Sequence, residues 1–287
     1  MRGGQWQVLR LIEGLRGAGI NAKLLSPQSS PLHDKARARN LDVEALTLWA
    51  IHRHSRRVDV VHAHDARAHT LAAALGPPLS RVPLVVSRRV AFPVRSRWKY
   101  RRASRYAAVS QFVKDILMQG GVAEERISVV YDGVPLGEPG AGGETVVAPA
   151  SGDPRKATAL AIEATRRAEV DVLLSRDLEA DLVGAGLFLY LTHSEGLGSA
   201  ILMAMAAGVP VVASDVGGIP EIVRHRENGW LVRNEPEAVA AAIRELLSDH
   251  TLARTLAARA RETVAEKFSL DQMIHSTIDI YRQVLAC

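Results

Sequence analysis

The sequence predicts an α/β protein of doubly wound parallel sheet, organised as two domains. Three observations carry that expectation. Apolar runs of strand length alternate with segments of helical periodicity along most of the chain, the pattern of successive βα units. A stretch rich in glycine and proline, from Pro135 to Gly143, separates two such series and reads as a linker. The 287 residues, 47% hydrophobic and 23% charged, suffice for two cores of ordinary composition.

The elements follow in order. Residues 5–18 carry Val8, Leu9, Leu11, Ile12 and Leu15 at helical spacing. Residues 22–25 read as a strand, 49–57 as a basic helix and 58–62 as the next strand. Strands are expected at 82–87 and 106–109. A helix at 111–119 closes on Gly120 and Gly121, and a strand follows at 127–131. Beyond the linker come strand 146–148, helix 156–167 and strands 170–174 and 187–191. A helix opens at Ser199, whose hydroxyl reads as its cap, and Gly208 with Pro210 ends it. Residues 211–214 form a buried strand, Gly217 and Gly218 turn the chain, and Pro220 with Glu221 opens another helix. Helices near 235–248, 251–266 and 270–285 finish the chain. The expected domains are 1–140 and 141–269, followed by a terminal helix within 270–287.

The single cysteine, Cys287, excludes a disulfide framework or cysteine metal cluster within one chain, which fits a reducing, cytoplasmic setting. No segment has the pattern of a signal peptide. The longest apolar run, 200–213, is broken by Gly208 and Pro210 and is too short to span a bilayer. His62 and His64 share one face of a strand with only Asp65 beside them, so no metal site is expected.

The formal charge of +5 is unevenly spread. No acid occurs from Ala66 to Lys114, while Arg67, Arg81, Arg88, Arg89, Arg95, Arg97, Lys99, Arg101, Arg102, Arg105 and Lys114 are basic. Three readings compete: a solvated face, a surface for an anionic membrane or lipid-linked acceptor through residues 81–114, and nucleic-acid binding. Phe92, Trp98, Tyr100 and Tyr106 could stack on bases, but no nucleic-acid motif accompanies them, so nucleic acid is not expected as a partner.

Residues 194–223, SEGLGSAILMAMAAGVPVVASDVGGIPEIV, carry most of the functional information. They read as loop, helix, buried strand, glycine turn and helix start. Two helix starts should therefore lie near the ends of parallel strands, where doubly wound sheets bind phosphate-bearing ligands. This segment resembles the C-terminal donor site of family 4 glycosyltransferases, the retaining nucleotide-sugar enzymes of GT-B fold. The resemblance extends along nearly the whole chain and is closest over AMAAGVPVVASDVGGIPEIV.

The resemblance implies two Rossmann-like domains facing across a cleft, an N-terminal acceptor domain and a C-terminal donor domain. The terminal helix would cross back to the first domain, and domain closure would assemble the site. It further implies transfer of a sugar from a nucleotide diphosphate sugar, with retention and without metal or other cofactor. The implied acceptor is a cell-envelope glycan or lipid-linked sugar, met in the cytoplasm or at the inner face of the membrane.

By the same resemblance Glu195 contacts the transferred sugar, while the backbone of Gly196, Leu197, Gly198 and Ser199 holds the diphosphate. Lys156 matches the family's diphosphate lysine, and Arg155 stands in for an arginine that the family places several residues earlier. Gly3 and Gly4, before a helix start, would let backbone approach the donor or the acceptor, with donor binding the assigned role. Arg89 occupies the place of the family's histidine; a guanidinium cannot act as a base, so it would bind phosphate. His64, at a strand end, completes the catalytic candidates with Glu195 and Arg89. Each has a plainer alternative: an ordinary turn for Gly3-Gly4, a solvated helix start for Arg155-Lys156, a surface loop for Glu195 and a capped strand end for His64.

Three departures from the family pattern stand out. The family motif is Glu, seven residues, Glu; Glu195 supplies the first, and Met203 holds the second position, where a thioether is a poor acceptor for ribose hydroxyls. The central strand that precedes the glycine turn at Arg2-Gly3-Gly4 is missing, which points to truncation or a misassigned start and leaves neighbouring strands with unpaired edges. The stretch from Val147 to Tyr190 is short for the family, by a strand and a helix. These departures make a non-catalytic binding or scaffold protein of the same fold the first rival reading, and a nucleotide-sugar epimerase the second.

Overall fold

Helical spacing from Val8 to Leu15 produces α1 (Gly3–Gly17), the first element of a computed structural model that describes residues 1, 3–75, 81–140 and 142–286. Arg2, Cys287, Ala141 of the expected linker and the side chain of Arg97 lie outside the described residues. The chain divides into two units, one of residues 1–132 with 270–287, the other Gly133–Ser269.

The N-terminal unit alternates strand and helix. After α1 come β1 (Leu24–Ser26), α2 (Pro31–Ala38), β2 (Val43–Ala45), α3 (Leu48–His54), β3 (Val61–Ala63), α4 (Ala66–Leu75), β4 (Leu84–Arg88), α5 (Arg97–Arg102), β5 (Arg105–Ala108), α6 (Gln111–Gln119) and β6 (Ile127–Val129). Helix starts follow local chemistry. Ser30 caps α2 by accepting from the His33 amide at 3.2 Å, with Pro31 next, and Ser110 caps α6 through the Val113 amide at 3.0 Å.

All strands of this unit are parallel, in two separate sheets: β1 pairs with β2, and β3-β4-β5-β6 form the other. Among the described residues no strand precedes α1 or joins β1 to β3. Helix α1 contributes to the core over each sheet. Val8, Leu9 and Ile12 pack with Leu24 of β1, whereas Leu11 and Leu15 pack with Val85, Ala107 and the terminal helix at Leu270–Leu285.

The two faces of the larger sheet are covered by different helices. Val85 and Ala107 face α1 and the terminal helix. Tyr106, one residue out of phase, meets Tyr100 of α5 and His69 of α4 on the other face. Helix α4 packs between α3 and α5.

The second unit holds β7 (Thr145–Pro149), α7 (Thr158–Arg167), β8 (Val172–Ser175), α8 (Leu178–Asp181), β9 (Ala185–Tyr190), α9 (Ser199–Ala206), β10 (Val211–Ser214), β11 (Trp230–Val232), α10 (Pro236–Ser248) and α11 (His250–Lys267); the terminal helix is α12. Its sheet is parallel throughout, in the order β11-β10-β9-β7-β8. Val146, Leu187, Leu189 and Val212 on the strands pack with Ala161 and Ala164 of α7 and with Val239 and Ile243 of α10.

Several expectations change. The division between units falls before the glycine-rich stretch, ahead of the expected 140/141 boundary, because that stretch is docked on the second unit. The Gly140 amide donates to Ala207 O at 2.9 Å, and Arg261 donates to Gly137 O. The helix expected from Lys156 begins at Thr158. Ala157 takes φ +35°, and Pro154–Lys156 forms a separate 3-10 turn capped by Asp153. The helix expected at Pro220 is one 3-10 turn, Ile219–Glu221, because the Asn228 side chain captures the Arg224 amide at 2.7 Å and Ile222 O at 3.0 Å. Ser199 is the first helical residue of α9 and makes no cap; Gly198 holds the cap position at φ +107°.

Candidate active site

In the second unit three neighbouring strands, β10, β9 and β7, end at Ser214, Tyr190 and Pro149, and the loops that follow are tied together. The His193 amide and the Thr192 hydroxyl both donate to Arg155 O, at 2.8 and 2.9 Å. Ser214 Oγ accepts from the Thr192 amide at 2.9 Å and donates to Asn234 Oδ1 at 2.5 Å; Asn234 Nδ2 returns to Thr192 O at 2.9 Å. The Gly218 amide donates to Glu195 O at 3.2 Å. Gly217 sits at φ +60°, and a Cβ there would lie 2.1 Å from Glu195 O, so only glycine lets the two loops approach this closely.

This lattice presents three side chains to one another. Lys156 Nζ donates to Glu195 Oε2 and to the Tyr190 hydroxyl, each at 2.5 Å, and Tyr190 OH donates to the same Oε2 at 2.5 Å. Glu195 Oε1 accepts from the Gly196 amide at 3.0 Å. Burial, with Glu195 adding to it, pushes the Tyr190 hydroxyl well above the ordinary phenol range, so it stays protonated and remains a donor. Helix α9 starts just past this triad with no side-chain cap and no acid in its first turn. A positive helix end beside a lysine suits a phosphate group.

Arg155 and Lys156 share the short turn but not its direction. Arg155 Nε donates to Asp153 Oδ1 at 2.9 Å on the surface, and that contact holds the Asp153 carboxyl down at about 2. Met203 lies half-buried on α9, and Leu197 is buried.

The N-terminal unit brings a second group together at the ends of β3 and β4. His62 Nδ1 meets Tyr281 OH at 2.7 Å, and its Nε2 meets Ser87 Oγ at 2.9 Å. The His64 ring lies 4.0 Å from that of His62, centroid to centroid. Arg89 Nε donates to Asp132 at 3.0 Å, and Arg89 Nη1 donates to His64 Nδ1 at 3.4 Å. Gly4 at the start of α1 stands beside the Arg89 side chain, with Gly3 just before it. Burial first, then the Arg89 charge, pulls His62 down to about 3. Burial, then His62 and Arg89, puts His64 well below its ordinary value. Both imidazoles are therefore neutral at neutral pH. Because Arg89 donates to Nδ1, the His64 proton sits on Nε2, which makes that atom a hydrogen-bond donor rather than a base.

The sequence-predicted residues thus fall into two groups, one per unit. Lys156, Glu195, Gly196, Leu197, Gly198, Ser199 and Met203 gather in the second, with Arg155 turned to Asp153. Gly3, Gly4, His64 and Arg89 gather in the first. Sequence reasoning missed Tyr190, Asn234, Asp132 and Tyr281. A tyrosine ending the otherwise apolar run AGLFLY was the one available signal. Among the described residues no three His, Cys, Asp or Glu side chains cluster, and no helix is long and apolar enough to cross a membrane.

Comparison with known proteins places both units. The family described as Glycosyltransferase Family 4 matches residues 1–138, and that described as Glycosyl transferases group 1 matches residues 145–263. N-acetyl-alpha-D-glucosaminyl L-malate synthase of Bacillus anthracis is 38% identical over 112 residues, 38% of this chain and 29% of that protein. A GDP-mannose-dependent alpha-(1-6)-phosphatidylinositol monomannoside mannosyltransferase of Mycobacterium tuberculosis is 40% identical over 89 residues, 31% of this chain and 23% of that protein. The matched segments therefore span under a third of these relatives' length. Among solved structures, Anabaena HepE in complex with UDP and glucose superposes with a TM-score of 0.84 at 18% identity, covering 98% of this chain and 96% of that one. Sucrose-phosphate synthase of Thermosynechococcus elongatus gives 0.76 at 18% identity, covering 97% and 92%. At that identity the likeness shows the fold, which is GT-B. With its two halves matched in order by the two family models, the chain belongs to the group 1, family 4 glycosyltransferases.

Proposed function

We propose that this chain transfers a hexosyl group from a nucleoside diphosphate sugar to an acceptor hydroxyl with retention, without a metal, in the synthesis of a cell-envelope glycan or lipid-linked sugar. The observation that carries the reading is the convergence of Lys156, Glu195 and the uncapped start of α9 at the ends of β7 and β9. The bond from the anomeric carbon to the diphosphate breaks, the acceptor oxygen bonds that carbon, and the departing diphosphate carries the electron pair. Lys156 and the first amides of α9 neutralise its charge, with no reorganisation of solvent. Lys156 exchanges its Glu195 contact for phosphate, and the freed carboxylate accepts from sugar hydroxyls.

We assign His64 and Arg89 to the acceptor. His64 Nε2–H donates to it, and neither residue takes its proton, which leaves with the diphosphate oxygen. The complex of Anabaena HepE with UDP and glucose, and the mannosyl and glucosaminyl relatives, support a nucleotide sugar as donor. The cytoplasmic setting remains part of this proposal.

Titration of UDP, GDP and ADP by calorimetry, followed by donor turnover with the matching nucleotide sugar, tests the reading. Saturable binding of one nucleotide, and a loss of at least about a hundredfold in turnover for Glu195→Ala with an unchanged melt, are expected. No binding by a folded chain rejects the donor site, and unaltered turnover in the variant rejects the role of Glu195. Met203 favours a second reading, a binding protein that has lost turnover: nucleotide affinity with no transfer or hydrolysis of any donor selects it.

A further inference from the structure

We infer that the α3–α4–α5 layer of the N-terminal unit docks on an anionic lipid bilayer. This reading stands apart from the transfer chemistry, because it uses the helices on one face of the sheet and none of the site residues.

Three observations converge on that layer. First, it exposes large apolar side chains. Leu48 and Trp49 of α3 are 59% and 64% exposed, Trp98 of α5 is 47% exposed, and Val90 and Phe92 lie exposed in the segment leading to α5. Second, each of these tryptophans has an arginine beside its ring: Arg53 Cζ is 4.4 Å from the Trp49 centroid, with its Nη2 also paired to Glu44 at 2.6 Å, and the exposed Arg102 has its Cζ 5.5 Å from the Trp98 centroid. An indole with a guanidinium beside it matches the boundary between headgroup and acyl chain, where one side is apolar and the other polar and anionic. Third, basic residues outnumber acids. Arg56, Arg57, Arg67, Arg95 and Arg101 are exposed and no acid occurs from Ala66 to Lys114, while Asp59 is an exposed acid after Arg57 and Asp65 is turned onto the amides of Arg67 and Ala68, both at 2.8 Å.

The layer is held together. Helix α4 packs against both α3 and α5. Lys99 of α5 donates to Thr70 of α4 at 3.2 Å, Arg102 donates to Ala73 O at 3.1 Å, and Arg126 grips the carbonyls at the end of α5. The tryptophans are thus presented by fixed helices, which lowers the entropy lost on docking. A membrane is favoured over nucleic acid because Leu48 and Val90 offer a base nothing to stack on, whereas acyl chains take aliphatic and aromatic side chains alike.

Cosedimentation with vesicles of phosphatidylglycerol and phosphatidylcholine, and with phosphatidylcholine alone, tests this at physiological salt. Saturable binding to the anionic vesicles only is expected, with a blue shift of tryptophan emission and weakening as salt rises. The triple variant Arg67→Glu, Arg95→Glu, Arg101→Glu should bind at least about a hundredfold more weakly, since each basic residue near the surface is worth roughly fivefold. Trp49→Ser with Trp98→Ser should lose the blue shift and bind at least about tenfold more weakly. Quenching of the unaltered protein's emission by brominated acyl chains needs no variant. Absence of anionic-vesicle binding, equal binding to neutral vesicles, no quenching, full binding by folded variants, or displacement from vesicles by duplex nucleic acid would each overturn the inference.

Discussion

The Tyr190 hydroxyl donates to Glu195 Oε2 at 2.5 Å, on the same oxygen that Lys156 holds. A residue of the buried sheet thereby fixes a loop carboxylate, and burial keeps its proton in place. Tyr190→Phe keeps the ring and its stacking on Phe188 but removes the donor. Hydrogen bonds to charged groups are worth about 1.5–3 kcal/mol, so kcat/KM should fall at least about tenfold with a small change in melting. Steady-state kinetics and a thermal melt on one preparation separate the two. An unchanged kcat/KM would mean that Tyr190 only packs.

Met203 gives a prediction in the other direction. Met203→Glu places a carboxylate on the half-buried face of α9 where the family pattern has one. Nucleotide affinity should rise by about ten- to a hundredfold through charged hydrogen bonds to the ribose. Calorimetry with wild type and variant decides it, and equal affinities would show that the ribose is held elsewhere.

Gly217→Ala should disable the donor site by geometry alone. The residue adopts φ +60°, which costs a side chain about 1–2 kcal/mol, and the added Cβ would meet Glu195 O at 2.1 Å. The loops must part, carrying Glu195 away from Lys156. A lower melting temperature together with lost nucleotide binding is expected; normal binding would show that the loop tolerates the displacement.

The paired histidines make stability depend on acid. His62 titrates at about 3 in the folded chain, against an ordinary 6.5, and His64 is also lowered. Between those values the unfolded chain binds more protons than the folded one, so stability falls as pH drops from about 6.5 toward 3. The steepest slope is roughly 1.4 kcal/mol per pH unit for each histidine. Denaturant melts across this window should show the slope, and His62→Gln should flatten it. The same slope in the variant would assign the acid sensitivity elsewhere.

Much of the architecture was legible where a segment's own pattern is strong, whatever its length. The spacing in α1 and the apolar run 211–214 each located an element by themselves. Elements with weak patterns, α2 and α4 among them, did not. Strand β2 has three half-buried residues, and α5, RWKYRR, has a helical face only in the setting of Tyr106 and His69. The site showed the same division. Glu195, Lys156 and the glycines of its loops could be named from local pattern. The Tyr190 and Asp132 contacts depend on which strands end side by side, and sheet order is not written in any one segment. The Ser199 cap failed because the preceding glycine took the left-handed conformation, leaving the hydroxyl inside the first turn.

The N-terminal unit has its strands in two sheets, with α1 lending side chains to the core over each. The smaller sheet, with α2, is then a leaf secured through α1 and through Glu44 of β2, which Arg53 and His54 of α3 hold at 2.6 and 2.9 Å. Opening that leaf breaks these contacts while β3 to β6 remain hydrogen-bonded, so it should behave as a cooperative subunit of lower stability than the rest. Its amides should exchange by this partial opening, ahead of β4 and β5, whose protection reports the unfolding of the whole unit.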